Sequence, residues 1–453
     1  MQAQVTGVAK DAAGEPIPGA NIFWMNTTDG VTTNENGNFS IHKPARSHML
    51  IVSFIGFEND TIHVDKANQH LDVVLHEGVE LNEVNIVSRK LGTMKLRTSV
   101  MNEDMISSAE LTRAACCNLG ESFVTNPSVD VSYSDAATGA KQIKLLGLSG
   151  TYVQMMTENI PNFRGAAAPY GLGYVPGPWM QSIQVSKGSS SVKNGYESIT
   201  GQINVEFKKP QLPEADWVSA NLFASSTNRY EANADATVKL SKRWSTSLLA
   251  HYENETKFHD SNDDGFVDIP RVEQYNVWNR WAYMGDHYVF QAGIKALHET
   301  RNSGQIAHGN TPSHDLYEIG IKTNRYEAFT KNAYIFDKEK NTNLALILQG
   351  TLHNQDASYG RKLYDVDQSN FYASLLFETE LSKQHSLSAG LSFNYDGYDQ
   401  NYRLTNQAEE GLTKKFVKES VPGAYVQYTF NLNDQLMLMG GIRGDYSLSL
   451  IHI

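Results

Sequence analysis

Residues 370–381 read NFYASLLFETEL and residues 385–398 read HSLSAGLSFNYDGY. In the first stretch Phe371, Ala373, Leu375, Phe377 and Leu381 share one parity, while Ser374, Glu378 and Glu380 hold the other. In the second, Leu387, Ala389, Leu391, Phe393 and Tyr395 alternate with Ser386, Ser388, Gly390, Ser392 and Asn394. A period of two sends successive side chains to opposite faces of a strand, so one sheet face is apolar and the other polar. A water-soluble sandwich shows the same alternation, and the period alone does not decide between them.

Three further features do. The strands are long, many running past about ten residues where soluble strands average about five or six. Tight connections such as SKQ at 382–384 and NLND at 431–434 alternate with long polar ones at 254–271, 300–314 and 397–416. With 22 Tyr and 6 Trp available for interfacial girdles, this matches an outer-membrane barrel, short turns at one end and long loops at the other. About eleven such strands fit between 216 and 449, and the chain stops at SLSLIHI, 447–453. An odd, half-sized set cannot close, and closure is what removes unpaired edges in lipid. The expectation is a chain truncated in mid-barrel.

Bulk properties narrow the rest. At 453 residues the chain has room for roughly three units. No run of ~18 apolar residues occurs, which excludes a transmembrane helix but not a membrane strand. A net charge of -12 with no basic stripe argues against nucleic acid. Two adjacent cysteines, Cys116 and Cys117, cannot form a disulfide framework. No charged n-region and apolar h-region open the chain, yet MQAQVTG at 1–7 looks like the remainder of a small-residue cleavage site, so a precursor beginning upstream is expected.

Between residues 2 and 77 the turn signals DAAGEPIPGA, NTTDG, NENGN and FENDT recur at the spacing of a small β-sandwich. From 94 to 210 the texture is mixed. SSAELTRAACCNLGESFVTN carries a helical pattern after a Ser cap, with Leu111, Ala115 and Leu119 on one face. VDVSYS, KQIKLLGL, TYVQMMTENIP and MQSIQVSKG read as strands broken by Gly and Pro.

Two segments carry a family resemblance. KQIKLLGLSGTYVQMMTENIP has turn glycines at Gly147 and Gly150 and a closing Glu158-Asn159-Ile160-Pro161; WMQSIQVSKGSSSVKNGYESITGQINVEFKKP sets Ile183, Val185, Lys187, Gly188, Ser190, Gly195, Gly201, Ile203 and Val205 at fixed spacing over about thirty residues. Both resemble the plug of the TonB-dependent outer-membrane receptors, where the first turn usually reads Asp-Gly-apolar-Pro. VTGVAKDAAGEPIPGANI, GVTTNENGNFSI and VSFIGFE resemble the carboxypeptidase-regulatory-like, transthyretin-like domain that precedes such receptors in Bacteroidetes. The resemblance implies a mainly β chain: a sandwich at 1–78, a TonB-box linker at 79–93, an α+β plug at 94–210 and an incomplete transmembrane antiparallel barrel at 211–453.

That order gives a role to LNEVNIVSRK at 81–90. It is an apolar, β-prone run between two segments that look complete without it, and an unpaired strand either joins a neighbouring sheet or waits for another chain. The resemblance implies a TonB box, Leu81, Asn82, Glu83, Val84, Asn85, Ile86 and Val87, that adds as a strand to TonB, itself energised by ExbB and ExbD; strand addition needs main-chain bonds and little side-chain specificity. A linker strand pairing with the first sandwich is the alternative. The implied setting is the outer membrane with the N-terminal domain in the periplasm. The implied activity is active uptake of a small metal chelate such as a ferric siderophore, with haem, cobalamin or a copper complex open and a surface lipoprotein as a further partner. The rival is a surface adhesion protein without energised transport.

No nucleophile elbow, phosphate loop or HExxH occurs, as expected of a non-enzyme, and no cofactor is required. HDSNDDGFVD places Asp260, Asn262, Asp264 and Asp268 around Gly265 at calcium-loop offsets, with Arg271 where the bidentate Glu would stand; a solvated Asp/Asn/Gly loop reads equally well. Cys116 and Cys117 with Met155 and Met156 are soft ligands for copper, or a buried thiol pair beside core methionines.

Overall fold

The computed structural model describes residues 4–75, 93–95, 102–210 and 218–452, apart from 12–13, 26–29, 35, 45–47, 55–56, 58–59, 65–68, 115–116, 125, 127–128, 149, 189–190, 307–315, 406–410 and 434–435. It is mainly β and divides into two compact units, Met1–Lys90 and Leu91–Ile453.

The first unit contains β1 (Gln4–Asp11), β2 (Asn21–Trp24), β3 (Gly30–Thr32), β4 (Asn38–His42), β5 (Met49–Ser53), β6 (Asp60–His63) and β7 (His70–Leu75). One sheet runs β4-β1-β7 and the other β3-β2-β5-β6. Alternation turns Phe39 and Ile41 of β4, and Leu71, Val73 and Leu75 of β7, into a common core with Ile22, Trp24, Leu50 and Val52. Polar groups carried into that core are satisfied there, as burial requires. The Trp24 indole donates to the His42 carbonyl at 2.7 Å, and the Thr33 hydroxyl donates to the Ile17 carbonyl while accepting from the Ala20 amide.

The plug begins the second unit with β8 (Thr93–Lys95), β9 (Asn102–Ser107), α1 (Ser108–Arg113), β10 (Val129–Asp135), β11 (Ala140–Leu145), β12 (Val153–Thr157), β13 (Ile160–Pro161), β14 (Met180–Lys187) and β15 (Gly201–Phe207). Six strands follow the order β13-β12-β15-β14-β9-β8, and β10 and β11 pair separately. The four predicted strand segments are all present. The long helix is not: α1 ends at Arg113, and Ala115 lies outside the described residues. Downstream Asn118 is extended and bridges Pro176. Leu119 donates to the Val175 carbonyl and Gly177 to the Cys117 carbonyl. Backbone pairing with a distant segment replaces the bonds that the helical pattern called for, a tertiary override of local preference. Leu111 and Leu119 still reach the same core.

The remaining strands are β16 (Val218–Ala224), β17 (Arg229–Lys239), β18 (Trp244–Glu255), β19 (Arg271–Met284), β20 (Tyr288–Gly304), β21 (Glu318–Asp337), β22 (Thr342–Tyr359), β23 (Lys362–Ser382), β24 (His385–Arg403), β25 (Thr413–Asn433), β26 (Leu436–Asp445) and β27 (Leu448–His452). They form one twelve-stranded, barrel-like antiparallel sheet in sequence order. Because β26 and β27 pair with opposite halves of β25, they continue a single path interrupted at Tyr446–Ser447, leaving the eleven paths expected.

The faces are inverted relative to a soluble sheet. On β23 Val366, Gln368 and Ser374 are buried, whereas Phe371 is 42% and Leu375 37% exposed; on β24 Ser388, Ser392, Asn394 and Asp396 are buried and Leu391 is 58% exposed. Apolar side chains facing out and polar ones facing in is the arrangement lipid demands. Short connections at 240–243, 285–287, 338–341 and 383–384 share one end, and nearby Trp244, Tyr288, Tyr334 and Phe336 are exposed on the outer face. Loops at 256–270, 305–317 and 404–412 share the other end, together with a two-residue link at 360–361 that departs from the expected pattern.

Candidate functional site

The inward parity of the wall strands delivers charged and amide side chains to the plug. The β12–β13 turn is the most heavily engaged point. Glu158 and Asn159 hold φ of +50° and +62°, as a two-residue type I′ hairpin requires but L-residues avoid. An Asp-Gly pair would adopt this turn more easily. Here the surroundings hold it instead. The Asn159 amide donates to Asn204 Oδ1 at 2.8 Å. The Glu158 carboxylate lies 2.6 Å from Arg280 and 3.6 Å from Lys331, and Lys331 Nζ also donates to the Glu158 carbonyl at 2.7 Å. Burial alone would raise the Glu158 carboxyl, but Arg280, with Lys331 and Lys209, overrides it and holds it at about 2.

Next along the chain, Asn162 accepts from Arg325 at 2.5 Å and donates to Glu327 at 2.9 Å. Arg325 and Lys295 in turn pair with Glu327. A water-sized cavity of about 20 Å³ lies between Thr157, Glu158 and Asn162 on the plug and Lys295, Glu327 and Gln349 on the wall.

Other ties surround this centre. Glu121 meets Arg229 at 3.0 Å, beside Glu231 and Glu253. Arg301 donates to the Thr138 carbonyl at 3.0 Å and stacks over Tyr170. Arg164 pairs with Asp396 at 3.1 Å, and the Ala166 amide donates to Gln368. Lys193 pairs with Glu378, and Arg443 donates to the Val192 carbonyl at 3.1 Å. Buried ion pairs of this kind add little net stability when intact and cost several kcal/mol when one partner is removed. They therefore fix the plug's register in the wall. The wall partners lay in the sequence as lone charges at inward parity, such as Arg280 in VWNRWAY; no sequence spacing tied them to the plug.

The remaining sequence-derived residues are placed as follows. Gly147, Gly188 and Gly195 have φ of +82°, +87° and +109°, and Gly150 opens a 3-10 turn. Gly201 starts β15 where any Cβ would sit 2.3 Å from both the Leu145 side chain and the Ser186 carbonyl. Pro161 pairs with Met156, and Lys187 meets Asp104 at 2.6 Å. Ser190 and the whole run from Leu81 to Val87 lie outside the described residues.

In the calcium-like loop, Asp260 accepts from the Asp264 and Gly265 amides, Asp268 from the Ser261 amide, and Asn262 donates to Asp264. Cys116 lies outside the described residues. Cys117 is buried, and burial with the nearby Glu231 pushes its thiol up, away from the thiolate that binds metals. Met155 packs against the plug core while Met156 is fully buried; as neighbours on a strand they face opposite ways.

Residues 5–86 match the family model for a CarboxypepD_reg-like domain, and residues 95–202 match the TonB-dependent receptor plug domain. The chain is 26% identical over 247 residues to the TonB-dependent receptor SusC of Bacteroides thetaiotaomicron, a match covering 51% of this chain and 24% of that protein. It is 24% identical over 298 residues to TonB-dependent receptor P26 of Formosa agariphila, covering 61% and 27%. The matches thus span about a quarter of the length of these relatives. Among solved structures, Pseudomonas aeruginosa FpvA bound to a heterologous pyoverdine superposes with a TM-score of 0.65 at 14% identity, covering 83% of this chain and 57% of that one. These relatives are receptors, not enzymes. The regulatory-like domain, the plug and the inverted sheet around it place this chain among the TonB-dependent receptors of the Bacteroidetes type.

Proposed function

We propose that the protein takes up a scarce ligand across the outer membrane, driven by TonB and its ExbB/ExbD partners through residues 81–87, with the N-terminal unit in the periplasm. The observation that carries this reading is the inverted sheet whose polar inner face holds a plug by discrete ion pairs such as Glu158–Arg280. A plug held in register by breakable contacts suits a gate worked by force, because the outer membrane offers no nucleotide to drive transport. The cargo is a metal chelate such as a ferric siderophore, and bond chemistry is not required of the chain. A lipoprotein cover and a calcium ion at 260–268 belong to the same proposal.

Deleting residues 81–89 tests the central claim. Energised uptake should vanish while ligand binding at the cell surface persists; an adhesion protein would lose neither. Persistence of uptake in the deletion would overturn the reading.

A further inference from the structure

The β3-β2-β5-β6 sheet of the N-terminal unit carries a row of soft donors on its outward face. Trp24 and Leu50 pair across β2 and β5 and are fully buried, so the adjoining residue on each strand points the other way, away from the core. Those residues are Met25 and Met49, and the Met25 amide donates to the Met49 carbonyl at 2.9 Å, one step beyond the β2-β5 ladder. Met49 in turn pairs with His63 of β6, whose neighbour Ile62 packs against the core. Three adjacent strands therefore line up Met25, Met49 and His63 across one face, where directly opposed Cβ atoms stand about 4.5–5.5 Å apart.

The side chains converge as well as the backbone. His63 Nδ1 lies 3.2 Å from Met49 Sδ. At the lengths zinc makes, about 2.3 Å to sulfur and about 2.0 Å to nitrogen, two donors at a tetrahedral angle stand about 3.5 Å apart, so an ion enters this pair after an opening of roughly 0.3 Å. His48 stacks on the His63 ring, with centroids 6.0 Å apart at 28°, and steadies its orientation. The His48 Nδ1 is engaged by Lys43 Nζ at 3.1 Å, an ammonium that can only donate. Met25 is 36% exposed, and an unbranched, flexible thioether reaches the same point from its own strand.

The donor set chooses the ion. Thioethers select Cu(I) and imidazole accepts it, whereas zinc takes thiolate, imidazole and carboxylate. Among the described residues no group of three or more His, Cys, Asp or Glu stands together as a metal site. Two thioethers and an imidazole are neutral, and with the Lys43 ammonium nearby they favour a single positive charge over two.

We propose that Met25, Met49 and His63 form a binding site for a soft monovalent ion, Cu(I), on the N-terminal unit. All three ligands belong to one compact unit with its own core, so the inference does not rest on the uptake reading.

The test uses the full chain in detergent micelles under reducing conditions, with Cu(I) supplied from a coloured Cu(I) chelator and Ag(I) as its redox-inert counterpart. The chain should withdraw an equivalent of Cu(I) that Met49→Leu and His63→Gln each fail to withdraw. Met→Leu nearly conserves volume, and unchanged thermal unfolding of the metal-free variant checks that it folds. Footprinting of the wild-type chain needs no variant: Ag(I) should slow peroxide oxidation of Met25 and Met49 and leave Met284, equally exposed at 36%, at its original rate. Zn(II) should protect none of the three. Full retention of the Cu(I) in Met49→Leu would put the ion elsewhere, the adjacent Cys116 and Cys117 included, and overturns the inference. So does a lack of selective protection at Met25 and Met49, or equal protection by Zn(II).

Discussion

β4 of the N-terminal unit and β24 of the wall are both alternating strands, and they are inside out relative to each other. In β4 Phe39 and Ile41 are buried between exposed Asn38, Ser40 and His42. In β24 Ser388, Ser392, Asn394 and Asp396 are buried and Leu391 stands outside. The same period therefore serves two solvents. A sandwich hides its apolar parity because water surrounds it, and a membrane sheet hides its polar parity because hydrocarbon does. The cost of a wrong residue should differ accordingly, and that gives ways to break or sharpen the contrast.

The largest effect is expected on the polar inner face. Glu158→Gln leaves buried Arg280 and half-buried Lys331 without their carboxylate, which should cost about 3–5 kcal/mol, read as loss of plug retention in proteolysis of the refolded protein. If the plug stays as protected as in the wild type, the inner face is not held by these pairs. The same contact should respond to acid. The folded Glu158 carboxyl is lowered from 4.5 to about 2, so its contribution is full above about 4.5 and is lost as pH falls toward about 2. A pH titration of plug protection should show a loss in that window, on the order of 3 kcal/mol, that is absent in Glu158→Gln.

On the outer face, Leu391→Lys should cost about 2–4 kcal/mol in a bilayer, measured as a lowered denaturation midpoint in vesicles. An exposed site on a water-soluble protein would change by less than about 0.5 kcal/mol, and that small value would collapse the contrast. The smallest effect belongs to the sandwich. Thr33→Val removes the hydroxyl shared by Ile17 and Ala20 and should cost about 1–3 kcal/mol, seen in thermal unfolding of the N-terminal unit without any change in plug protection.

Much of this arrangement was legible in residue order. Alternation at 370–398, long strands and tight turns identified the wall, and the Gly-spaced run from Lys187 to Gly201 identified the plug. The helix after Ser107 was misread in length because Cys117, Asn118 and Leu119 are drawn into backbone pairing with Val175–Gly177, a contact with no local signature. Glu158 was legible as a turn residue and illegible as a buried anion. Its partners, Arg280 and Lys331, lie more than a hundred residues away and meet it only once the wall strands have taken their register.

By itself the sequence determined which side chains share a face, where strands turn and which glycines the plug turns need, because these depend on neighbours within a few residues and on the two-residue period. The tertiary structure alone decided which charges meet and which plug residues the wall's inner face holds. Those depend on distances between segments far apart in the chain, and such distances exist only when the strands are packed.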